Sequence, residues 1–199
     1  ASTPVISTMP TCEGIVTYTY TFTDCSGISH AWVYTYTIED TIAPTGTAPS
    51  DLVLECLSEI PVASAEDIAD AIDNCSGNVV ITISDVNNGG TGCFGSPYIV
   101  NRTYTLTDCA GNVTDLLQTI TVEDTTAPTF VEPLPVNETV ECNVVPSAVS
   151  LTAIDNCGDA TVTYSEERID GSCLNNYELV RTWVATDACG LTTTHIQTI

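Results

Sequence analysis

Two residue types set what chemistry this chain can do: cysteine, which occurs ten times, and carboxylate, which occurs 26 times against three cationic side chains. Ten cysteines in 199 residues are unusual for a reducing compartment. An even count, regular spacing and a near absence of histidine favour disulfides over metal ligation. A zinc site wants CxxC pairs or histidine partners, and the sequence has neither arrangement. Of the two histidines, His30 and His195, neither lies near a nucleophile motif. No GxSxG, P-loop or HExxH pattern occurs. The carboxylates form no diagnostic acid pair and read as solvated surface. The chain is therefore expected not to be an enzyme.

A formal charge of −23 argues against nucleic acid or an anionic membrane as partner. It points to cations, basic surfaces or simple solubility. Hydrophobic residues make up 43% of the chain, which argues against disorder, and abundant Thr, Val, Ile and Tyr favour strands. No apolar run reaches the roughly 18–20 residues that span a bilayer. No signal peptide is visible, and the first residues read like the middle of a domain. Secretion or display at the cell surface is the expected setting.

The elements that must position the cysteines and acids repeat along the chain. Glu55-Cys56 returns as Glu141-Cys142, and Ala71–Cys75 (AIDNC) returns as Ala153–Cys157. Cys93 returns as Cys173, and Cys109 as Cys189. Thr23–Gly27 (TDCSG) matches Thr107–Gly111 (TDCAG) and Thr186–Gly190 (TDACG). A full repeat carries four cysteines. Residues 1–43 form the back half of one repeat, 44–127 a complete repeat, and 128–199 a repeat lacking the end of its last strand. A chain that starts and stops inside a repeat is expected to be cut from a longer array.

Within each repeat the pattern is all β. Ile15–Thr23, Ile99–Thr107 and Tyr177–Thr186 alternate with period two, as half-buried strands do. Val79–Ser84 and Thr161–Ser165 are shorter strand candidates. Ser64–Ile72 has a serine N-cap and early acids, which predicts a single helical turn within a loop. Gln118–Phe130 (QTITVEDTTAPTF) and its copy Tyr34–Pro44 each read as a last strand running into a hinge. Pro44 and Pro128 mark the break, because proline cannot continue a sheet ladder. Short strands separated by Gly, Asn and Asp turns suggest tandem immunoglobulin-like β-sandwiches arranged in series.

Strand length constrains the cysteine pairing. A strand of about ten residues separates the third and fourth cysteines of a repeat, placing them roughly 30 Å apart. Disulfide partners need Cα atoms within about 7 Å. An immunoglobulin-like path puts the first and third cysteines at one pole and the second and fourth at the other. The expected bridges are Cys56–Cys93, Cys75–Cys109, Cys142–Cys173 and Cys157–Cys189. Cys12 and Cys25 are expected to pair with the missing front half of the first repeat.

The same path gathers acids. Glu39-Asp40 and Glu123-Asp124 lie at the hinges. Asp73 and Asp155 end the second strand, and Asp108 and Asp187 end the late strand. Hard oxygen ligands converging at a hinge suit Ca²⁺, which takes six to eight oxygens in irregular geometry. These eight residues are the candidate ligands, although Asp and Asn are also good turn formers and no DxDxDG loop is present. Asn101, Asn112 and Asn137 begin N-x-Thr triplets, which matter only in a host with N-glycosylation.

Taken together, ECxxxxP, AIDNC, RTWVATDACG and QTITVEDTTAP resemble the HYR-like, immunoglobulin-like repeats of very large surface adhesins of Bacteroidota, of which the gliding-motility adhesins of flavobacteria are the best-known type. The hinge EDTTAPTF also looks like a cadherin linker without its paired Asp-Asn. The resemblance implies type IX secretion, display at the outer membrane, and a role in adhesion or gliding. It also implies O-glycosylation at Asp-Thr followed by a small or aliphatic residue, which makes Thr41 and Thr125 the candidate glycan sites.

The expected function is a stiff stalk segment of an extracellular adhesin filament. Its partners would be neighbouring repeats of the same chain, with surface glycans or other cell-surface proteins as candidate targets. Three alternatives stand beside it: a self-polymerising structural fibre, a glycan- or protein-binding module, and an accessory region of a secreted hydrolase. Trp32, Trp183 and the tyrosines sit at alternating strand positions, which favours packing over an exposed binding face.

Overall fold

The computed structural model describes residues 3–75, 77–172 and 176–199. Its strands are β1 (Val5–Ile6), β2 (Gly14–Thr23), β3 (Ser29–Ile38), β4 (Leu52–Leu54), β5 (Val80–Asn87), β6 (Tyr98–Thr107), β7 (Val113–Val122), β8 (Thr129–Phe130), β9 (Ala153–Ile154), β10 (Thr161–Asp170), β11 (Tyr177–Thr186) and β12 (Thr192–Thr198). They form sheets in the orders β1-β2-β3, β4-β7-β6-β5, β8-β9 and β10-β11-β12. The fold class is all-β, of the tandem immunoglobulin-like kind.

The period-two runs became strands, and the two shorter candidates run further than expected. β5 continues to Asn87 and β10 to Asp170. Their extra residues are polar. Arg102 forks onto Asp85 at 2.9 Å through both Nε and Nη2, and Arg181 Nε donates to Glu166 at 2.7 Å. Charge pairing from the neighbouring strand carries the ladder where apolar alternation has ended. The helical hint is one 3-10 turn, Ala65–Ile68, with a capping box between Ser64 and Asp67. Asp67 also accepts the Tyr104 hydroxyl at 2.8 Å, which ties the turn to β6.

The chain packs as two compact units, and their limits cut across the sequence repeats. The first comprises Ala1–Asp51, Val62–Val86 and Asn101–Thr119; the second comprises Leu52–Pro61, Asn87–Val100 and Ile120–Ile199. Each unit encloses one hinge, and β6 and β7 contribute residues to both.

In the first unit Ile68, Tyr104 and Leu106 form a core against Val79, Ile81, Ile83 and Leu116. The hinge is part of that packing. Pro44 is fully buried, and its carbonyl accepts the Thr114 hydroxyl at 2.6 Å. Gly46 fits because a Cβ there would meet Ile68 Cγ2 at 2.9 Å. On β3, Trp32, Tyr34 and Tyr36 form a ring row, with centroids 5.8 and 4.6 Å apart, and all three are exposed. Aligned through Ile38-Glu39-Asp40 and Val122-Glu123-Asp124, Tyr34 and Tyr36 correspond to Gln118 and Ile120, which are buried. The row is a core face by register.

In the second unit Val100, Ile120 and Val122 pack with Leu52, Leu54 and Ile60. Around β11, Trp183 and Ala185 are buried. No strand lies between Phe130 and Ala153, so the backbone there is satisfied by side chains from the sheet. Trp183 Nε1 donates to Val149 O, Arg181 Nη2 to Pro146 O, and Gln197 Nε2 to Val136 O. His195 Nε2 lies 2.8 Å from Pro135 O, and its ring sits 5.9 Å from that of Trp183.

The disulfides differ from the expected set. The structure joins Cys12 to Cys109, Cys56 to Cys157 and Cys93 to Cys189. The expected Cys56–Cys93, Cys75–Cys109 and Cys157–Cys189 bridges are therefore corrected, as is the expected pairing of Cys12 with a front half of the first repeat. The expected Cys142–Cys173 bridge involves Cys173, which lies outside the described residues, and Cys142 itself is free. Strand length does keep third and fourth cysteines of one repeat apart. The hinge, however, brings the first and third cysteines of one repeat to the second and fourth of the next, and the bonds form across that junction.

Candidate functional site

Each unit builds the same constellation around its hinge. The elements are the Asp that closes the last strand, the Asp-Asn-Cys turn, and the Asp-led turn after the late strand. In the first unit Asp40 is buried, and its Oδ1 accepts from Ile42 N at 3.1 Å and from Asn74 Nδ2 at 3.5 Å. Asp73 Oδ2 accepts from Cys75 N at 2.8 Å, an Asx turn that fixes the cysteine. Asp108 Oδ1 accepts from the backbone N–H groups of Ala110, Gly111 and Asn112 at 2.7–2.9 Å. Gly111, at φ 92°, supplies the left-handed residue that this turn requires. Asn112 Nδ2 then spans Asp108 Oδ2 and the carbonyl of Asp40, so its amide is already engaged in packing.

The second unit repeats these contacts. Asp124 is buried and its Oδ1 accepts from Thr126 N. Asp155 Oδ2 accepts from Cys157 N at 2.8 Å. Asp187 Oδ1 accepts from Leu191 N at 2.9 Å. Glu55, Cys56, Cys93, Asp124, Asp155, Cys157 and Cys189 all face one cleft of about 740 Å³.

Of the eight candidate ligands, the structure brings four into close groups, with Asp108 and Asp187 near them. Asp40, Asp73 and Cys75 present ligand atoms within 4.8 Å of one another, as do Asp124, Asp155 and Cys157. Asp187 adds its charge to the field at Asp124, and Asp108 adds its own at Cys75. Glu39 is exposed at the end of β3. Glu123 turns to Gly95 N, whose N–H it accepts at 2.7 Å.

Electrostatics distinguish the carboxylates. Desolvation first, and then the charges of Asp155, Asp187 and Glu55, push the Asp124 carboxyl above its ordinary range. Glu55 is held below the ordinary range, chiefly by the Thr125 backbone N–H and hydroxyl. Asp108 is also held low, because bonds from Asn112, Gly111 and Ala110 outweigh its desolvation. The Cys75 thiol is pushed up by its contact with the Asp40 carboxylate, by burial, and by the charges of Asp73 and Asp108. A thiol so placed is a poor thiolate ligand, and its counterpart Cys157 is already in a disulfide. The ligand chemistry of both groups is therefore carboxylate oxygen.

Asp40 Oδ2, Asp73 Oδ1 and Asp187 Oδ2 are buried without an N–H or O–H donor. Buried carboxylate oxygens left without donors are costly.

Thr41 and Thr125 are both exposed at their hinges. They differ in one respect: the Thr125 hydroxyl donates to Glu55 Oε1 at 2.9 Å. Glu55 had no role in the sequence reading beyond its place beside a cysteine. The spacing that could have revealed the bridges is the separation of the bonded cysteines, 96, 97 and 101 residues, which exceeds one repeat in every case.

Residues 1–38 and 44–122 match the model of the HYR-like domain with four cysteines. The chain belongs to that family. The two matches fall on either side of the first hinge, and the four-cysteine description fits Cys56, Cys75, Cys93 and Cys109 in the complete repeat. HYR-like domains are extracellular repeat modules, which is consistent with a structural or adhesive role. No curated protein matches the chain. Among the described residues no helix is long and apolar enough to cross a membrane.

Proposed function

We propose that this chain is a non-enzymatic stalk segment of a long surface adhesin of the Bacteroidota gliding-motility type, exported by the type IX route and displayed at the outer membrane. Each repeat adds length, and recognition of surface glycans or other cell-surface proteins belongs to another part of the filament. The observation that supports this reading is the hinge itself. It is buried within a packed unit and crossed by disulfides that tie one HYR-like repeat to the next. A module built for independent ligand binding has no need of such ties.

Calcium at the hinges belongs to the same proposal. Asp40, Asp73 and Asp108 in one unit, and Asp124, Asp155 and Asp187 in the other, are the ligands. The support is the donor-less buried oxygens of Asp40, Asp73 and Asp187, which suit an ion of irregular oxygen coordination. Bound Ca²⁺ offsets the mutual repulsion of the triad and stiffens the hinge. Glycans on Thr41 and Thr125 would shield the exposed side of each hinge from proteases.

The test is deletion of these repeats in frame from the full-length surface protein, followed by filament length and cell-attachment measurements. Shortened filaments whose tips still bind support the stalk reading. Loss of binding at unchanged filament length assigns recognition to the repeats and sinks it.

A further inference from the structure

The two junctions hold different numbers of bridges, although their frames are the same. At the second hinge two disulfides, Cys56–Cys157 and Cys93–Cys189, open onto one cleft. At the first hinge there is one, Cys12–Cys109. It corresponds to Cys93–Cys189, because Cys12 and Cys93 are third cysteines while Cys109 and Cys189 are fourth cysteines of the following repeat. The counterpart of Cys157 is Cys75. It is set by the same Asx turn, with a 2.8 Å bond from its N–H to Asp73 as Cys157 has to Asp155. Gly77, two residues on, lies so near the existing bridge that a Cβ there would meet Cys109 Sγ at 3.1 Å. Cys75 carries a free thiol, placed beside a bridge as Cys157 is.

We infer that the cysteines follow one rule through the array, first to the second of the next repeat and third to the fourth of the next, and that among the described residues Cys75, Cys25 and Cys142 are its open positions. Cys75 takes the first cysteine of the repeat that contains Cys12, in a Glu-Cys segment like Glu55-Cys56. Cys25 is a fourth cysteine. Its turn matches that of Cys109: Asp24 Oδ1 accepts from Ser26 N and Ile28 N, and Gly27 adopts φ 83°. It takes the third cysteine of the repeat in front. Cys142, exposed, is a first cysteine and takes the second cysteine of the repeat behind.

Each bond forms by thiol–disulfide exchange. Two thiols give up two protons and two electrons to a disulfide-bearing oxidoreductase, which is reduced to its dithiol. The partner is a neighbouring repeat of the same chain, so the result is a filament with two covalent staples at every hinge. This rests on the equivalence of the two junctions and not on the adhesin reading.

The test uses the full-length protein from the cell surface, alkylated without reduction, digested and mapped by mass spectrometry, with a non-reducing denaturing gel in parallel. The expected result is Cys75 linked to a Glu-Cys peptide of the adjoining repeat, with Cys25 and Cys142 linked as above, in a protein that runs as a single chain. Cys75→Ser should release one thiol, located in that Glu-Cys peptide. Alkylated Cys75 in the unreduced protein, a Cys25–Cys75 link, or disulfide-linked multimers would overturn the rule. The map reads linkage alone, so failure of the stalk proposal in the deletion assay leaves its outcome unaffected.

Discussion

Glu55 grips Thr125 twice. Its carboxylate takes the Thr125 backbone N–H and hydroxyl, each at 2.9 Å, across 70 residues of sequence. A residue at the start of one repeat therefore holds the hinge at its end. Because these bonds lower the folded-state pKa of Glu55, its contribution is present above the ordinary glutamate range and is lost as pH falls through the lowered value. Glu55→Gln should lower the melting temperature at neutral pH and flatten its acid limb, so that variant and parent converge at low pH. An unchanged acid limb in the variant would show that the grip contributes nothing.

The same geometry makes a prediction about modification. A glycan on Thr125 removes the proton that its hydroxyl donates to Glu55, whereas among the described residues the Thr41 hydroxyl makes no such bond to an acid. If both threonines are modified, the Glu55→Gln effect should shrink in native material relative to unglycosylated protein. Intact-mass analysis of the two hinge peptides, alongside melting curves of both preparations, checks this.

Asp124 has the opposite sign. Its folded pKa is raised, so its contribution is present below the ordinary aspartate range and is lost as pH rises through the raised value. In chelator at neutral pH, Asp124→Asn should melt no lower than the parent protein. In millimolar Ca²⁺ the parent should gain stability and the variant should not. Equal calcium responses in the two proteins would remove Asp124 from the ligand set.

Removing one inter-repeat bridge should be costly. Cys93→Ser with Cys189→Ser opens a loop of 96 residues, and loss of such a bond costs about 2–4 kcal/mol. Denaturant unfolding of the double variant measures it. The Cys12–Cys109 bridge should stay intact in the same protein, as a disulfide map would record.

Packing at the hinge is tested at glycine. Gly46→Ala places a Cβ 2.9 Å from Ile68 Cγ2 and 3.1 Å from Leu106 Cδ2, an overpacking that should cost about 1–3 kcal/mol. Gly158→Ala, which meets nothing within 4 Å, is the control and should change stability by less than about 0.5 kcal/mol. Equal melting temperatures for the two variants would place the hinge outside the core.

The strands were legible in the sequence because alternation and turn residues are local signals. The acids that gather at each hinge were also legible, since each ends an element whose direction the alternation gives. The ends of β5 and β10 were hidden, because Asp85 and Glu166 are polar and find arginine partners only on the next strand. The bridges were hidden for a different reason. Spacing places Cys56 and Cys93 at one end of a repeat and Cys157 and Cys189 at the opposite end of the next. Which repeats meet is decided by the buried hinge, where Pro44 and Pro128 pack as core residues rather than as linker. The aromatic row of β3 shows the same limit. Alternation placed Trp32 on a packing face, and the structure leaves that face exposed while burying its counterparts Gln118 and Ile120.

The offset between repeat and compact unit has a consequence for how such an array can change. Duplication or loss of genetic material in whole repeats, wherever the cut falls, returns every cysteine to a partner of the right kind. Loss of a single cysteine codon instead strands a thiol in the adjoining repeat, so the damage appears about a hundred residues away from the mutation. Heredity and folding parse this chain with different punctuation, and selection on any one repeat is exercised partly through its neighbour.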